Sequence, residues 1–445
     1  MHISAHMDVD VVAVETDDEV SVLVELTAPE AAPPDPSAVR HARTLEVVLD
    51  RSGSMAGDRL QGAINALLAL VDRLEPTDNF GVVTFDNTVE LAVPAGPLTD
   101  KPAVKRAIAS IVDGGSTDLS AGYLRGIQEA RRVVGAAGGT LLLISDGHAN
   151  AGVTDPDALG AIGTEARRHG IVTTTLGWGL GYDERLMSAI ARGGSGNELF
   201  AENSDQAVKL IAGEIEGLLS QTAQAASMLI RLSEHVSAVA VINELPTTAT
   251  ADGVVAELGS FYSGETRKVL LTITVPALAA LGLTEVATLE LTYVELPSLK
   301  QHVVTVPLHV NVVPGDVAAG RIPDVTVRTE VVYQRAQQAK RRASRHLSVG
   351  DTAAAMIDLR LAQDLIAQQR RFDLPESAAA DLAEEAEALR YLAQQAEHGA
   401  APMAAKYASM DASYKSRHRG RTRPRNVPES DSDSADGSGT NPTVK

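Results

Sequence analysis

The sequence predicts an α/β domain, with a mostly parallel sheet and helices on both faces, inserted in a β-sandwich and followed by a helical segment and a disordered tail. Three observations predict it. Between about 40 and 220, short runs of Val, Leu and Ile alternate with segments of helical period, and the runs are apolar at every position. Strands of that kind are buried on both faces, as in a parallel sheet. On either side, at 8–27 and 221–315, the period is two and no helical pattern intervenes. From about 327 to 398 the period is helical again.

In chain order, Val9 and Val11 precede the turn "ETDDE", and Val20, Val22, Val24 and Leu26 follow it. This is the pattern of a half-buried hairpin. A lone hairpin is marginal in water, so residues 1–39, with the Pro-rich linker "APEAAPPDPS", are assigned to the sandwich. "TLEVVLD" then reads as a strand and "RLQGAINALLALVDRL" as a helix, with Leu60, Ile64, Leu67, Leu68 and Val71 on one face. The strands "FGVVTFD", "TLLLISDG", "IVTTTLGWG" and "NELFA" are interleaved with the helices "KPAVKRAIASIV", "LSAGYLRGIQEARRVV", "DPDALGAIGTEARRHG" and "DERLMSAIARGG". A helix over 204–220 closes this domain, placed at 40–220. "SMLIRLS", "VSAVAVI", "VVAELGSFY", "RKVLLTITV", "ATLELTYVEL" and "HVVTVPLHVNVV" supply the sandwich strands of 221–325. Segments such as "AAAMIDLRLAQDLIAQQ", separated by Gly350, Asp351 and Pro375, form a helical hairpin or bundle over 326–398. The remainder, 399–445, carries the basic run "KSRHRGRTRPR" and the acidic "ESDSDSADGSG", the composition of a disordered tail.

The totals bound the function. A formal charge of −19 argues against a nucleic-acid or anionic-membrane binder and favours a protein that attracts cations. The chain has no cysteine, which excludes disulfides, thiolate metal sites and cysteine nucleophiles. Neither a signal-peptide pattern nor an uncharged apolar run of roughly 18 residues is present, so a cytoplasmic location is expected. The abundance of Ala and Arg suggests a bacterial source.

The chemistry gathers at strand ends. In open parallel sheets, sites form beyond the carboxyl ends of the strands. "TLEVVLD" ends on Asp50 and is followed by Ser52 and Ser54; "TLLLISDG" ends on Asp146; the Gly-rich "DGGSTDLSAGY" presents Thr117 ahead of a helix. Asp50, Ser52, Ser54, Thr117 and Asp146 offer oxygen alone. Such a donor set suits Mg²⁺, Mn²⁺ or Ca²⁺ rather than Zn²⁺. Ser52 and Ser54 are two apart, so both hydroxyls can point one way from an extended loop. Two carboxylates neutralise a dication and leave it able to accept another oxygen, such as an Asp or Glu of a partner. The competing reading of these residues is helix capping, since Ser, Thr and Asp are the ordinary N-caps.

"DRSGSM" resembles the D-x-S-x-S motif of the von Willebrand factor type A (vWA) family, "GGSTDL" its threonine loop and "LLLISDGHAN" its final aspartate loop. "TLGWGLGYDERLMSAIA" is similar to the family's late strand and helix. The resemblance covers about 43–220 and implies a Rossmann-like fold with a metal-ion-dependent adhesion site. It implies that Ser52, Ser54 and Thr117 bind the metal through their hydroxyls, and Asp50 and Asp146 directly or through water. It also implies a helix 204–220 able to shift with metal and ligand. The flanking segments resemble bacterial multidomain members and, less closely, the inter-alpha-trypsin inhibitor heavy chains.

The expected function is therefore a non-enzymatic, metal-dependent protein-binding module. Alternatives are an adaptor for an AAA+ ATPase, a metal-dependent phosphoester hydrolase and a structural or envelope-associated role. Asp118 is either a neighbour of the metal or a favourable charge at a helix N-terminus. His148 is either a rim group or a plain loop residue. Trp178 is either an exposed contact near the site or core. "GWGLGY" lacks the G-x-G-x-x-G register, and Ser54 lacks the glycine two residues before it that a hydrolase elbow requires. The run 415–425 either grips nucleic acid or an acidic protein by charge, or is a solvated tail.

Overall fold

The computed structural model describes residues 1–30, 42–146, 149–179, 182–234, 236, 238–296, 298–417 and 419. The chain opens with β1 (His2–Met7), β2 (Val11–Ala13) and β3 (Asp18–Thr27). The α/β region follows: β4 (Thr44–Asp50), α1 (Asp58–Arg73), β5 (Asn79–Phe85), β6 (Val89–Pro97), α2 (Lys101–Ala109), α3 (Leu119–Val133), β7 (Gly139–Ser145), α4 (Pro156–Arg168), β8 (Ile171–Trp178), α5 (Glu184–Gly193), β9 (Ser195–Ala201) and α6 (Ser204–Leu219). Then come β10 (Gln221–Leu232), β11 (Ala238–Val241), β12 (Thr247–Thr250), β13 (Gly253–Tyr262), β14 (Thr266–Val275), β15 (Gly282–Glu295) and β16 (Gln301–Val313). The helices α7 (Gly315–Ala319), α8 (Val325–Ser348), α9 (Thr352–Gln369), α10 (Glu376–Glu397) and α11 (Ala401–Arg417) complete the described chain. Among the described residues no helix is long and apolar enough to cross a membrane.

The α/β region is a six-stranded sheet in the order β6-β5-β4-β7-β8-β9. All neighbours are parallel except the edge strand β6, which runs antiparallel to β5. The apolar runs are continuous because both faces are covered. Leu45, Val47 and Leu49 of β4 pack under α1 and α6 with Leu60, Ile64, Leu67 and Ile211, while Val48 faces Tyr123 and Ile127 of α3. Glu46 breaks the apolar pattern of β4. It is fully buried, and neither carboxyl oxygen has a hydrogen-bond partner among the described residues. Burial, reinforced by the nearby Glu129, raises its pKa from 4.5 to about 9, against the pull of Arg125 and Arg132.

The β-segments form two further sheets, β1-β3-β14-β11 and β12-β13-β10-β15-β16-β2, whose facing sides share one core of Val22, Val24, Met228, Leu271, Leu289 and Val310. Strands before the α/β region thus pair with strands after it, and the α/β region is an insertion in the sandwich. The pairing corrects the expected hairpin. β3 pairs with β1 and β14, whereas the residues around Val11 cross to the other sheet, where β2 runs parallel to β16. The turn residues "ETDDE" therefore connect two sheets rather than two neighbouring strands.

The C-terminal region departs furthest from expectation. Residues 401–417 of the expected disordered tail form α11, packed against α8, and residues 421–445 lie outside the described residues. Ala404, Ala405, Ala408 and Ala412 are buried, and such small side chains let a helix approach its neighbour closely. The basic run is likewise not simply solvated. Lys415 pairs with Glu385, Glu384 and Asp411, and Arg419 pairs with Glu330 and Asp381. Beside them Lys340 of α8, fully buried, pairs with the fully buried Glu385 and with Asp411. Lys406 of α11 reaches the α/β region at Glu184, 2.8 Å away, and the ring of Tyr407 packs edge-on against Phe200. Asn243 of the sandwich donates to the Ser416 carbonyl at 2.6 Å. One helix thus joins all three regions.

Two stability experiments follow. Glu46 takes up its proton far more strongly in the folded chain than in the unfolded one. The stability this confers is complete below 4.5 and drains away as pH rises to about 9. Glu46→Gln should remove that component, so denaturation midpoints of wild type and variant should diverge steadily across this window. Lys340→Met strands Glu385 without its nearest cation and should cost about 3–5 kcal/mol in urea denaturation, whereas Lys340→Met with Glu385→Leu should recover most of it.

Candidate functional site

Asp50 is the last residue of β4 and is completely buried. One carboxylate oxygen accepts the Ser52 amide at 2.8 Å, which turns the chain sharply out of the strand. The other accepts the Ser145 hydroxyl at 2.6 Å. Ser145 ends β7, the parallel neighbour of β4, and Asp146 follows it. Strand pairing therefore sets the two aspartates side by side at adjacent carboxyl ends. Asp146 is also buried; its Oδ1 has no hydrogen-bond partner among the described residues, and its Oδ2 lies 3.4 Å from the Arg59 guanidinium of α1. Burial, and secondarily the charge of Asp146, push the Asp50 pKa up, while hydrogen bonds from Ser145 and Ser52 oppose the shift.

The other loops are fastened to this pair through the backbone. The Gly114 amide donates to the Arg51 carbonyl at 2.7 Å, and the Gly53 amide donates to the Gly115 carbonyl at 2.9 Å. This clasp holds the serine loop against the Gly-rich loop. The Thr117 carbonyl accepts the amides of Asn150 and Ala151 at 3.0 and 3.2 Å, which ties the Gly-rich loop to the segment after Asp146. Ser52 and Ser54 direct their hydroxyl oxygens to within 3.1 Å of one another. Thr117 is buried and Ser54 is exposed. The structure thus brings together the loops bearing all five predicted residues.

It also weighs against the capping alternative. Ser52 precedes a short 3₁₀ turn without capping it through its side chain, and α1 is capped by Gly57. The cap of α3 is Asp118, whose carboxylate accepts the Ala121 amide, so Asp118 takes the helix-end role. The helix after Asp146 begins at Pro156 with Asp155 as its cap. Trp178 is core: it is 1% exposed and lies against Gly62 of α1. His148, and Leu180 and Gly181 of "GWGLGY", lie outside the described residues.

Three contributors escaped the sequence reading. Ser145 holds Asp50, and Arg59 meets Asp146. Asp86, just after β5, accepts the amides of Thr88 at 2.7 Å and Gly115 at 3.1 Å, and so carries the Gly-rich loop. Burial acts to raise the Asp86 pKa, but the bonds from Thr88 and Gly115 and the charge of Arg51 outweigh it, and the carboxyl is held below its ordinary value. Its signal was available, because Asp86 ends an apolar strand just as Asp50 and Asp146 do.

Comparison with known proteins bears on the fold that carries these loops. A family model described as the von Willebrand factor type A domain matches residues 45–214. The Escherichia coli protein YfbK is 31% identical over 186 residues, 41% of this chain and 32% of its own length. A Synechocystis protein is 27% identical over 252 residues, 55% of this chain and 60% of its own. The chain thus spans less than two thirds of either relative. Among solved structures, the ArnB paralog VWA2 from Sulfolobus acidocaldarius aligns over 93% of this chain and 98% of its own, with a TM-score of 0.63 and 17% identity. A von Willebrand factor type A protein from Catenulispora acidiphila aligns over 88% and 89%, with a TM-score of 0.69 and 13% identity. These two share the fold beyond the α/β region.

The clasp makes Gly114 sensitive. A methyl group there would lie 1.8 Å from Oδ2 of Asp86, a side chain already committed to Thr88 and Gly115. Gly114→Ala should destabilise the fold by about 1–3 kcal/mol in urea denaturation and loosen amide exchange across 113–118.

Proposed function

Since residues 45–214 form a von Willebrand factor type A domain, we propose that this chain is a metal-dependent protein-binding module rather than an enzyme. In this reading Asp50, Ser52, Ser54, Thr117 and Asp146 hold Mg²⁺, or alternatively Mn²⁺ or Ca²⁺. The ion engages an Asp or Glu of a protein partner. The observation that carries the reading is the buried Asp146 Oδ1, which has no hydrogen-bond partner among the described residues, beside the buried Asp50. A buried carboxylate oxygen left unpaired is costly, and a bound cation is one of the few groups that offsets the cost.

The donor set fits such an ion. It combines two carboxylates with three hydroxyls, all hard oxygen. When bound, the ion would supply a positive field with room for an external oxygen. The protein's own residues do the rest. Ser145 fixes the carboxylate of Asp50, the Asp86 bonds hold the Gly-rich loop, and the Arg51 and Gly53 backbone bonds keep the serine loop in register. Preset ligands lose little freedom when they close on an ion.

Calorimetry of the intact protein should show uptake of Mg²⁺, Mn²⁺ or Ca²⁺. Asp50→Ala should weaken it by about 100-fold or more, since even indirect supporters of metal sites cost 10–100-fold when removed. Affinity capture from host lysate should yield a partner with Mg²⁺ present, and lose it with chelator or with Asp50→Ala. Absence of metal uptake, or a partner indifferent to chelator, would refute the reading.

A further inference from the structure

We infer that Arg59 is a tethered counter-cation of this site, which balances Asp146 and must be outcompeted by any dication that binds there. The inference rests on the metal reading above.

Arg59 is the second residue of α1, one turn beyond the serine loop. Its guanidinium Nη1 donates to the Ser54 carbonyl at 3.1 Å and to Asp146 Oδ2 at 3.4 Å, so it touches the serine loop and the last aspartate together. It has a seat prepared for it. Gly179 at the end of β8 has φ +77°, and a side chain there would stand 2.9 Å from the guanidinium. The pair is lopsided: the Asp146 side chain is 1% exposed and that of Arg59 39%. Asp146 is confined, while the arginine has open water to retreat into.

A dication on Asp50 and Asp146 takes over the charge that Arg59 balances and repels the guanidinium at short range. Metal affinity is therefore lower than the five ligands alone would set. A carboxylate arriving from a partner reverses the sign, because it attracts both the ion and the displaced guanidinium. Planar donors in a fork suit a carboxylate. Arg59 thereby links metal retention to an acidic ligand and disfavours an ion held alone.

The test is Mg²⁺ titration by calorimetry of the intact wild-type protein, Arg59→Gln and Arg59→Lys, with thermal melts to verify folding. Arg59→Gln should bind Mg²⁺ about 3- to 10-fold more tightly than wild type, and the gap should shrink at high ionic strength. Arg59→Lys retains the charge and should stay within about twofold of wild type. Uptake by wild type with no gain, or with a loss, in Arg59→Gln overturns this inference alone and makes Arg59 a strut for the serine loop. No uptake by any of the three removes the metal reading and the inference with it.

Discussion

Two carboxylates stand side by side, out of water, at the ends of adjacent parallel strands. Asp50 and Asp146 are each almost wholly buried; Asp50 ends β4 and Asp146 follows the last residue of β7, two strands committed to the core. Like charges so placed are unfavourable unless the surroundings compensate. Much of the local architecture can be understood as that compensation. Ser145 and the Ser52 amide donate to Asp50, Arg59 leans over Asp146, and Asp86 anchors the loop that closes the third side. The sheet provides rigidity and the parallel register sets the spacing, so the site requires no long flexible arm to assemble it.

The C-terminal helices face the same physics and resolve it differently. Lys340, Glu385, Asp411, Lys415, Glu330 and Arg419 form a largely dehydrated network of alternating sign between α8, α10 and α11. Here every main charge meets an opposite one inside the chain. At the sheet end, Asp146 Oδ1 has no hydrogen-bond partner among the described residues.

Much of this was legible in the sequence for a simple reason. Strands buried on both faces announce themselves, and an acid at their carboxyl end stands where sheets of this kind bind. Asp50, Asp146 and the hydroxyls between them could be named from the chain alone. β6 could not, because "VELAVPAGP" contains two prolines and no apolar run; it is an edge strand paired on one side only. α11 was hidden for a different reason. Its apolar contribution is mostly alanine, and its charges looked solvated because their partners, Glu330, Asp381 and Glu385, lie tens of residues upstream. Arg59 was unreadable as well. A basic residue in the first turn of a helix carries no sign of the aspartate it meets, which arrives from another strand.

The insertion of one folding unit within another bears on how the chain is made. β3 leaves the ribosome roughly 240 residues ahead of its neighbour β14, a delay of about 12–48 s at ordinary translation rates. Throughout that interval the nascent β3 presents an unsatisfied edge rich in Val and Leu, the kind of surface that invites wrong pairing. Meanwhile the inserted unit can collapse on its own local βα contacts. The sandwich can then close around the inserted unit, and α11, which follows both in the chain, joins the three regions.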